Sequence, residues 1–236
     1  MYFFFSICAK IKKGDGHMDF LSIDGQYGHY KLILKEIEVK NIAYIIIDSY
    51  SDLKLVLKEA KAVLDNYHPK NIYFRVKEPI NDYPLHCTID CYLMKHQRFK
   101  INKDMKFKPL DLENRYDYPT MCNKAMEKID CSATLTDGDV FQMMKDQTNN
   151  MGYIQYKKQF VAGYNICGNT LDTFFVDKAH QNQGIGKMAL EKIINKIDDD
   201  VYLNVASTNS IAINLYQRYG FTYDHTVSYF YKLEEK

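Results

Sequence analysis

The heptapeptide Gln181-Asn182-Gln183-Gly184-Ile185-Gly186-Lys187 stands between an apolar run ending Phe174-Phe175-Val176 and the segment Met188-Ala189-Leu190-Glu191-Lys192-Ile193-Ile194. A strand followed by a glycine-containing turn and a helix is a ready anion site. The first N–H groups of a helix have no partner within it, and the aligned peptide dipoles place roughly half a positive charge there. Glycines let those groups approach a phosphate without a Cβ in the way, and Lys187 adds a full charge. The loop therefore reads as a phosphate or pyrophosphate cradle. The plainer alternative is an ordinary strand-to-helix turn.

Two nucleotide motifs fail on these residues. A P-loop, G-x-x-x-x-G-K-[ST], needs glycine where Gln181 stands and a hydroxyl where Met188 stands. A dinucleotide fingerprint fits Gly184, Gly186 and Ala189 on the surface, but it needs an acidic residue about 20 positions later, where this chain has Asn204 to Asn209.

Working outward, Leu171 to Val176 reads as the strand before the loop, and Gly186 to Ile197 as the helix after it, with Ala189, Ile193 and Ile197 stepping by four. Gly152 to Tyr156 and Phe160 to Cys167 flank the polar turn Lys157-Lys158-Gln159, which predicts an antiparallel hairpin. Val201 to Ala206 reads as a strand, Ser210 to Tyr219 as a helix and Phe221 to Leu233 as a strand pair. Before the hairpin, Thr120 to Lys128 and Asp137 to Lys145 read as helices, the latter capped by Asp137 to Asp139.

The first half gives strands over Tyr30 to Ile37, Ile42 to Asp48, Ile72 to Val76 and Thr88 to Met94. A helix capped at Ser51 and Asp52 runs up to the stop at His68-Pro69. The polar segment Lys100 to Lys108 is the linker candidate. The class is mixed α+β with a local parallel unit. The expected domains are a leader or disordered tail at 1–17, a smaller α/β domain at 18–104 and a larger domain at 105–236. An internal echo links Asn71-Ile72-Tyr73-Phe74-Arg75-Val76 with Asp200-Val201-Tyr202-Leu203-Asn204-Val205, and the first copy has no glycine loop.

A second motif lies downstream: Asn209-Ser210-Ile211-Ala212-Ile213-Asn214-Leu215-Tyr216-Gln217-Arg218-Tyr219-Gly220-Phe221. With Gln-x-x-Gly-x-Gly at Gln181 to Gly186 and the preceding strand, it resembles the GNAT superfamily of acyl-CoA-dependent N-acyltransferases over about residues 105 to 236, and it makes the first half a degenerate GNAT-like copy. The resemblance implies a mostly antiparallel sheet flanked by helices and acetyl-CoA as cosubstrate, without a metal. It further implies that Gln181, Gln183, Gly184, Ile185, Gly186 and Lys187 hold the CoA pyrophosphate. By the same resemblance the backbone of Phe175 and Val176 bonds pantetheine, and Asn209 bonds the cofactor from the last helix. Lys178 and Ala179 stand where proline and an acid are common in the family, and Gln181 stands where arginine is commoner.

Acyl transfer to an amine needs an unprotonated amine and a protonated leaving thiol. An amine with a pKa near 10.4 is neutral in only about one molecule in a few thousand at pH 7, so a base is useful. The resemblance makes Tyr216 the acid beside the CoA sulfur; its spacing with Ile211, Ala212, Leu215 and Tyr219 is equally that of a packing stripe. Asp172 is the base candidate, acting through water. Strict alternation puts it on the face of Phe174 and Val176; an exposed strand-start aspartate is the other reading. Tyr153, Tyr156 and Tyr164 lie on the hairpin that would border the acceptor groove and are read as core or rim packing residues.

Composition sets the remaining bounds. With 46% hydrophobic residues, the 236-residue chain can bury a real core, and a net charge of +1 gives no electrostatic argument for nucleic acid or membrane. Six cysteines are too few for a disulfide scaffold at this length, so a reducing cytoplasm is expected. Tyr2 to Ala9 is apolar but far short of the ~18 residues of a membrane span. His86, Cys87, Cys91 and His96 are zinc-type residues without zinc-type spacing, and cysteine in an apolar strand acts as a small hydrophobe. The expected partner is a small-molecule or peptide amine, and a homodimer is allowed.

Overall fold

The computed structural model describes residues 13–14, 17–18 and 20–234. Lys13–Gly14 pairs with His17–Met18 in a two-residue ribbon, and most of the 1–17 leader reading lies outside the described residues. Two compact units emerge. One holds residues 90–225; the other holds, among the described residues, 13–14, 17–18, 20–89 and 226–234. Sequence reading divided the chain at 104/105, whereas the compact units divide inside a strand, and residues 226–234 belong with 20–89.

In the smaller unit, β1 (Phe20–Asp24), β2 (Gly28–Ile33) and β3 (Ile42–Tyr50) form an antiparallel run. Between the last two lies α1 (Lys35–Lys40). This corrects the expected strand over Tyr30 to Ile37, because Ile37 is helical. Glu36, 1% exposed, pairs with Lys40 one turn later at 3.0 Å, and Asn41 ends the helix in the left-handed region (φ 58°). After β3 comes α2 (Leu53–Leu64), whose N-cap Asp52 accepts the Leu55 N–H at 3.1 Å. Its buried face is Val56, Leu57, Ala60 and Leu64. It leads to β4 (Asn71–Val76), which lies parallel to β3 from Ile42↔Asn71 to Ile46↔Arg75. The strand β5 (Leu85–Met94) then carries the chain out of this unit.

In the larger unit, β6 (Lys106–Pro109) pairs antiparallel with the strand Asn149–Tyr156, and Met105 is 1% exposed. The end of the segment read as a linker, from Lys106 on, is therefore part of the sheet. In Lys106-Phe107-Lys108 the alternation is too short to be seen against its lysines, yet Phe107 packs edge-on to Tyr164 at 5.2 Å between ring centres. Two helices follow, α3 (Asp117–Met126) and α4 (Asp137–Lys145).

The cap of α4 is Thr136 and not the aspartates alone. Thr136 Oγ1 accepts the Asp139 N–H at 3.1 Å, and Asp139 accepts the Thr136 N–H at 2.9 Å, a closed capping box. Thr136→Ala should lower unfolding stability by about 1 kcal/mol in urea titration; an unchanged midpoint would show that the box is idle.

The hairpin is as expected: β7 (Asn149–Tyr156) and β8 (Gln159–Cys167) turn through Lys157 and Lys158, both left-handed at φ 49° and 67°. Next come β9 (Thr170–Val176), α5 (Ile185–Ile194), β10 (Val201–Ala206), α6 (Ser210–Arg218) and β11 (Thr222–Lys232). The last is one strand and not the expected pair, with no Gly or Pro among its eleven positions, and from Thr226 on it belongs to the smaller unit. The order across this sheet is β10-β9-β8-β7-β6, antiparallel except between β9 and β10.

One face of that sheet carries α3 and α4, with Tyr118, Cys122, Val140, Met151, Tyr153 and Phe175 as its core. The other carries α5 and α6, packed through Ala189, Leu190, Ile193 and Tyr216 on Ile154, Ala162 and Leu203.

Candidate active site

The site follows from how β9 and β10 separate. Their parallel register is limited to Thr170↔Tyr202 and Leu171↔Leu203, although β9 continues to Val176 and β10 to Ala206. Asp172 is thus the first residue beyond the last paired position. Two strands that part in this way open a slot into which backbone groups of both face.

On its other edge β9 holds a bulge: Asn165 faces Thr173 but Ile166 faces Leu171, so Asp172 is the inserted residue. This corrects the expectation that Asp172 shares a face with Phe174 and Val176. Its carboxylate accepts from Asn165 Nδ2 at 3.2 Å and from Thr173 Oγ1 at 3.3 Å. Asn165 lies opposite Met151, a member of the Tyr118–Phe175 core, so the carboxylate is turned towards the α3 face.

The glycine loop has the form its residues imply. Gly184 caps α5 in the left-handed region (φ 76°), where a side chain is strained, and no side chain caps that helix end. Gly186 adjoins the strand end: a Cβ there would meet Val176 Cγ2 at 3.4 Å, an ordinary contact. Ile185 between them is buried and anchors the turn, whereas Lys187 is exposed on the first turn of the helix.

The two glutamines make contacts that the resemblance did not imply. Gln181 Nε2 donates to the Val176 carbonyl at 3.1 Å and Gln183 Nε2 donates to the Ala179 carbonyl at 2.9 Å, so both brace the loop from within. The Val176 carbonyl, with two lone pairs, keeps capacity for one more N–H. The Phe175 side chain is core and leaves only its backbone for a ligand.

At the second motif, Asn209 caps α6 by accepting the Ala212 N–H at 3.2 Å, which leaves its amide NH₂ as the donor on that side. Tyr216 is 8% exposed and packs on Phe221 at 5.7 Å between ring centres. Burial pushes its hydroxyl pKa well up, so it stays protonated and able to donate throughout the neutral and mildly alkaline range. The packing reading of Tyr216 is what the structure shows, with the hydroxyl kept in its protonated form.

Tyr153 and Tyr164 are fully buried, as packing residues should be, and Tyr156 is half-buried. Cys87 and Cys91 are buried as an apolar strand predicts. The ligand-type atoms of Cys91 fall within 4.8 Å of those of Asp224 and His225, a grouping that no sequence spacing signals. Burial raises the Cys91 thiol pKa and so favours the neutral form over the thiolate a metal takes, and His225 already pairs with Asp224 at 2.9 Å.

Comparison with known proteins agrees with this geometry. Residues 105–221 match the Acetyltransferase (GNAT) family. Over 59 residues the chain is 39% identical to the probable spermine N(1)-acetyltransferase of Bacillus subtilis subsp. natto (strain BEST195) and 37% identical to the spermine/spermidine N(1)-acetyltransferase of Bacillus subtilis (strain 168). Each match covers 23% of this chain and 39% of the relative, so the chain spans about two fifths of the length of the curated relatives it matches.

Among solved structures, a GCN5-related N-acetyltransferase from Kribbella flavida superposes with a TM-score of 0.59 at 10% identity, over 92% of this chain and 90% of that one. A functionally unknown conserved protein from Staphylococcus epidermidis ATCC 12228 gives 0.57 at 15% identity, over 91% and 93%. At such identities the likeness is one of fold, and it extends through the first half of the chain. Through residues 105–221, with their glycine loop, parted strands and second motif, the chain belongs to the GNAT family of acetyltransferases.

Proposed function

We propose that the protein transfers an acetyl group from acetyl-CoA to a primary amine by direct attack within a ternary complex. The observation that carries this reading is the uncapped N-terminus of α5, with Gly184 and Gly186 set at the end of the parted strand β9. Backbone N–H groups there suit a pyrophosphate. The slot between β9 and β10 suits the pantetheine arm, whose amides would bond the strand as a further strand does.

In this reading Gln181, Gln183, Ile185 and Lys187 shape and charge the loop, and Phe175, Val176 and Asn209 offer polar groups along the arm. Asp172 receives the proton the amine loses, through water, and Tyr216 protonates the departing thiolate. No covalent enzyme intermediate is needed.

Polyamines are the first acceptors to test, because the curated relatives are named for spermine and spermidine. The buried cysteines Cys87, Cys91, Cys122 and Cys131, none of which forms a disulfide among the described residues, suit a reducing cytoplasm. Among the described residues no helix is long and apolar enough to cross a membrane.

Calorimetry with acetyl-CoA followed by thiol-release assays over spermine, spermidine, aminoglycosides, amino acids and peptides tests the proposal. Binding with turnover on one amine class is expected. Binding without turnover on any would favour a non-catalytic CoA-binding module instead, and no binding at all would remove both readings.

A further inference from the structure

Among the buried side-chain polar atoms of the larger unit without a hydrogen-bond partner in the described residues are, beside Arg115 Nε, the Tyr118 hydroxyl and Asn165 Oδ1. Tyr118 and Asn165 are both 0% exposed. Asn165 commits its amide NH₂ to Asn149 Oδ1 at 2.8 Å and to the Asp172 carboxylate at 3.2 Å, which leaves its oxygen as the free end.

Tyr118 stands on α3, which packs on β8 and β9, the two strands that carry Asn165 and Asp172. Its ring is already held edge-on by Tyr153 at 5.6 Å and Phe175 at 5.1 Å. Packing therefore explains the ring but not the hydroxyl. Phenylalanine would fill the same space without burying an unsatisfied donor.

A hydroxyl donor and an amide oxygen acceptor in the layer that holds a carboxylate are the partner set that fixes one buried water. We infer that Tyr118 and Asn165 hold the water through which Asp172 takes the acceptor's proton, making Tyr118 a positioning residue for the reaction. The inference rests on the proposed reading of Asp172 as the base.

The water accepts from Tyr118 and donates to Asn165 Oδ1 and Asp172. The acceptor's ammonium gives one proton to the water oxygen as the water passes one of its own to the Asp172 carboxylate. The water is restored, Asp172 becomes a neutral acid, and the amine lone pair is free to attack the thioester. Tyr118 keeps its proton throughout; burial, first of all, and the neighbouring Cys122 and Asp172 push its pKa far up.

A double-mutant cycle of Tyr118→Phe and Asp172→Asn in the full chain tests this. Asp172→Asn alone should lower kcat by about 10²-fold. Tyr118→Phe alone should lower kcat by about tenfold, leave KM for acetyl-CoA unchanged and leave the melting temperature equal or higher. In the Asp172→Asn background Tyr118→Phe should have no further effect, since the water then has no base to serve.

An unchanged kcat with a higher melting temperature in Tyr118→Phe would reduce Tyr118 to packing and overturn the inference. So would the same tenfold loss in both backgrounds. An unaffected kcat in Asp172→Asn would instead remove the base reading itself, whatever Tyr118 does. Should Tyr118→Phe fail to fold, Asn165→Ala enters the same cycle with the same expected non-additivity.

Discussion

Tyr216→Phe should lower kcat by about 10²-fold or more while acetyl-CoA binds nearly as tightly as before. The ring is what α6 needs for packing: Tyr216 is 8% exposed and leans on Phe221, itself 2% exposed, and phenylalanine preserves that contact. Only the donor is lost. Without it the CoA thiolate must leave unprotonated or take its proton from solvent, and the loss falls on the step in which the C–S bond breaks. Because burial raises the Tyr216 pKa, the wild-type profile should show no alkaline loss of kcat from this group below about pH 10. Steady-state kinetics with calorimetric binding of acetyl-CoA reads both parts. An unchanged kcat would take Tyr216 out of the mechanism.

Gly163→Ala is the second large effect, and it acts through the framework. A Cβ at this position would lie 2.2 Å from Phe175 Cζ and 2.5 Å from Cε1, far inside contact distance. The Phe175 ring lies across the glycine of the neighbouring strand, and it is closed in on its other side by Tyr118 at 5.1 Å. Neither side can yield freely. Overpacking of this kind costs about 1–3 kcal/mol, seen as a lower denaturation midpoint. Activity should fall with it, because Phe175 belongs to the strand that borders the slot. Adding Phe175→Leu should recover part of the midpoint, and a single variant as stable as the wild type would show that the ring has room to move.

Much of the larger unit was legible because its signals are local. The glycine loop, the hairpin through Lys157 and Lys158, and the Asn209–Phe221 motif each declare themselves within a few residues, and the structure puts a left-handed Gly184 and an Asn209 cap where those residues predict. What sequence could not show depends on partners far along the chain. The bulge at Asp172 exists only relative to β8, and strict alternation assigned the wrong face. Met105 and Phe107 looked like linker because their burial is decided by β7 and Tyr164. Tyr118 and Asn165, 47 positions apart by their numbers, matter as unsatisfied atoms, a property no motif encodes.

The two strand-helix-strand units differ at one point of consequence. In the smaller unit α2 starts under the carboxylate of Asp52, which fills the electropositive helix end with a charge of the protein's own. In the larger one α5 starts under Gly184, which offers none. The first helix end is thus occupied by a charge of the protein's own, and the second is left without one. In the proposed reading, the same strand-helix-strand frame serves as a plain scaffold element where an acid caps the helix and as a receptor where glycine leaves the helix end open.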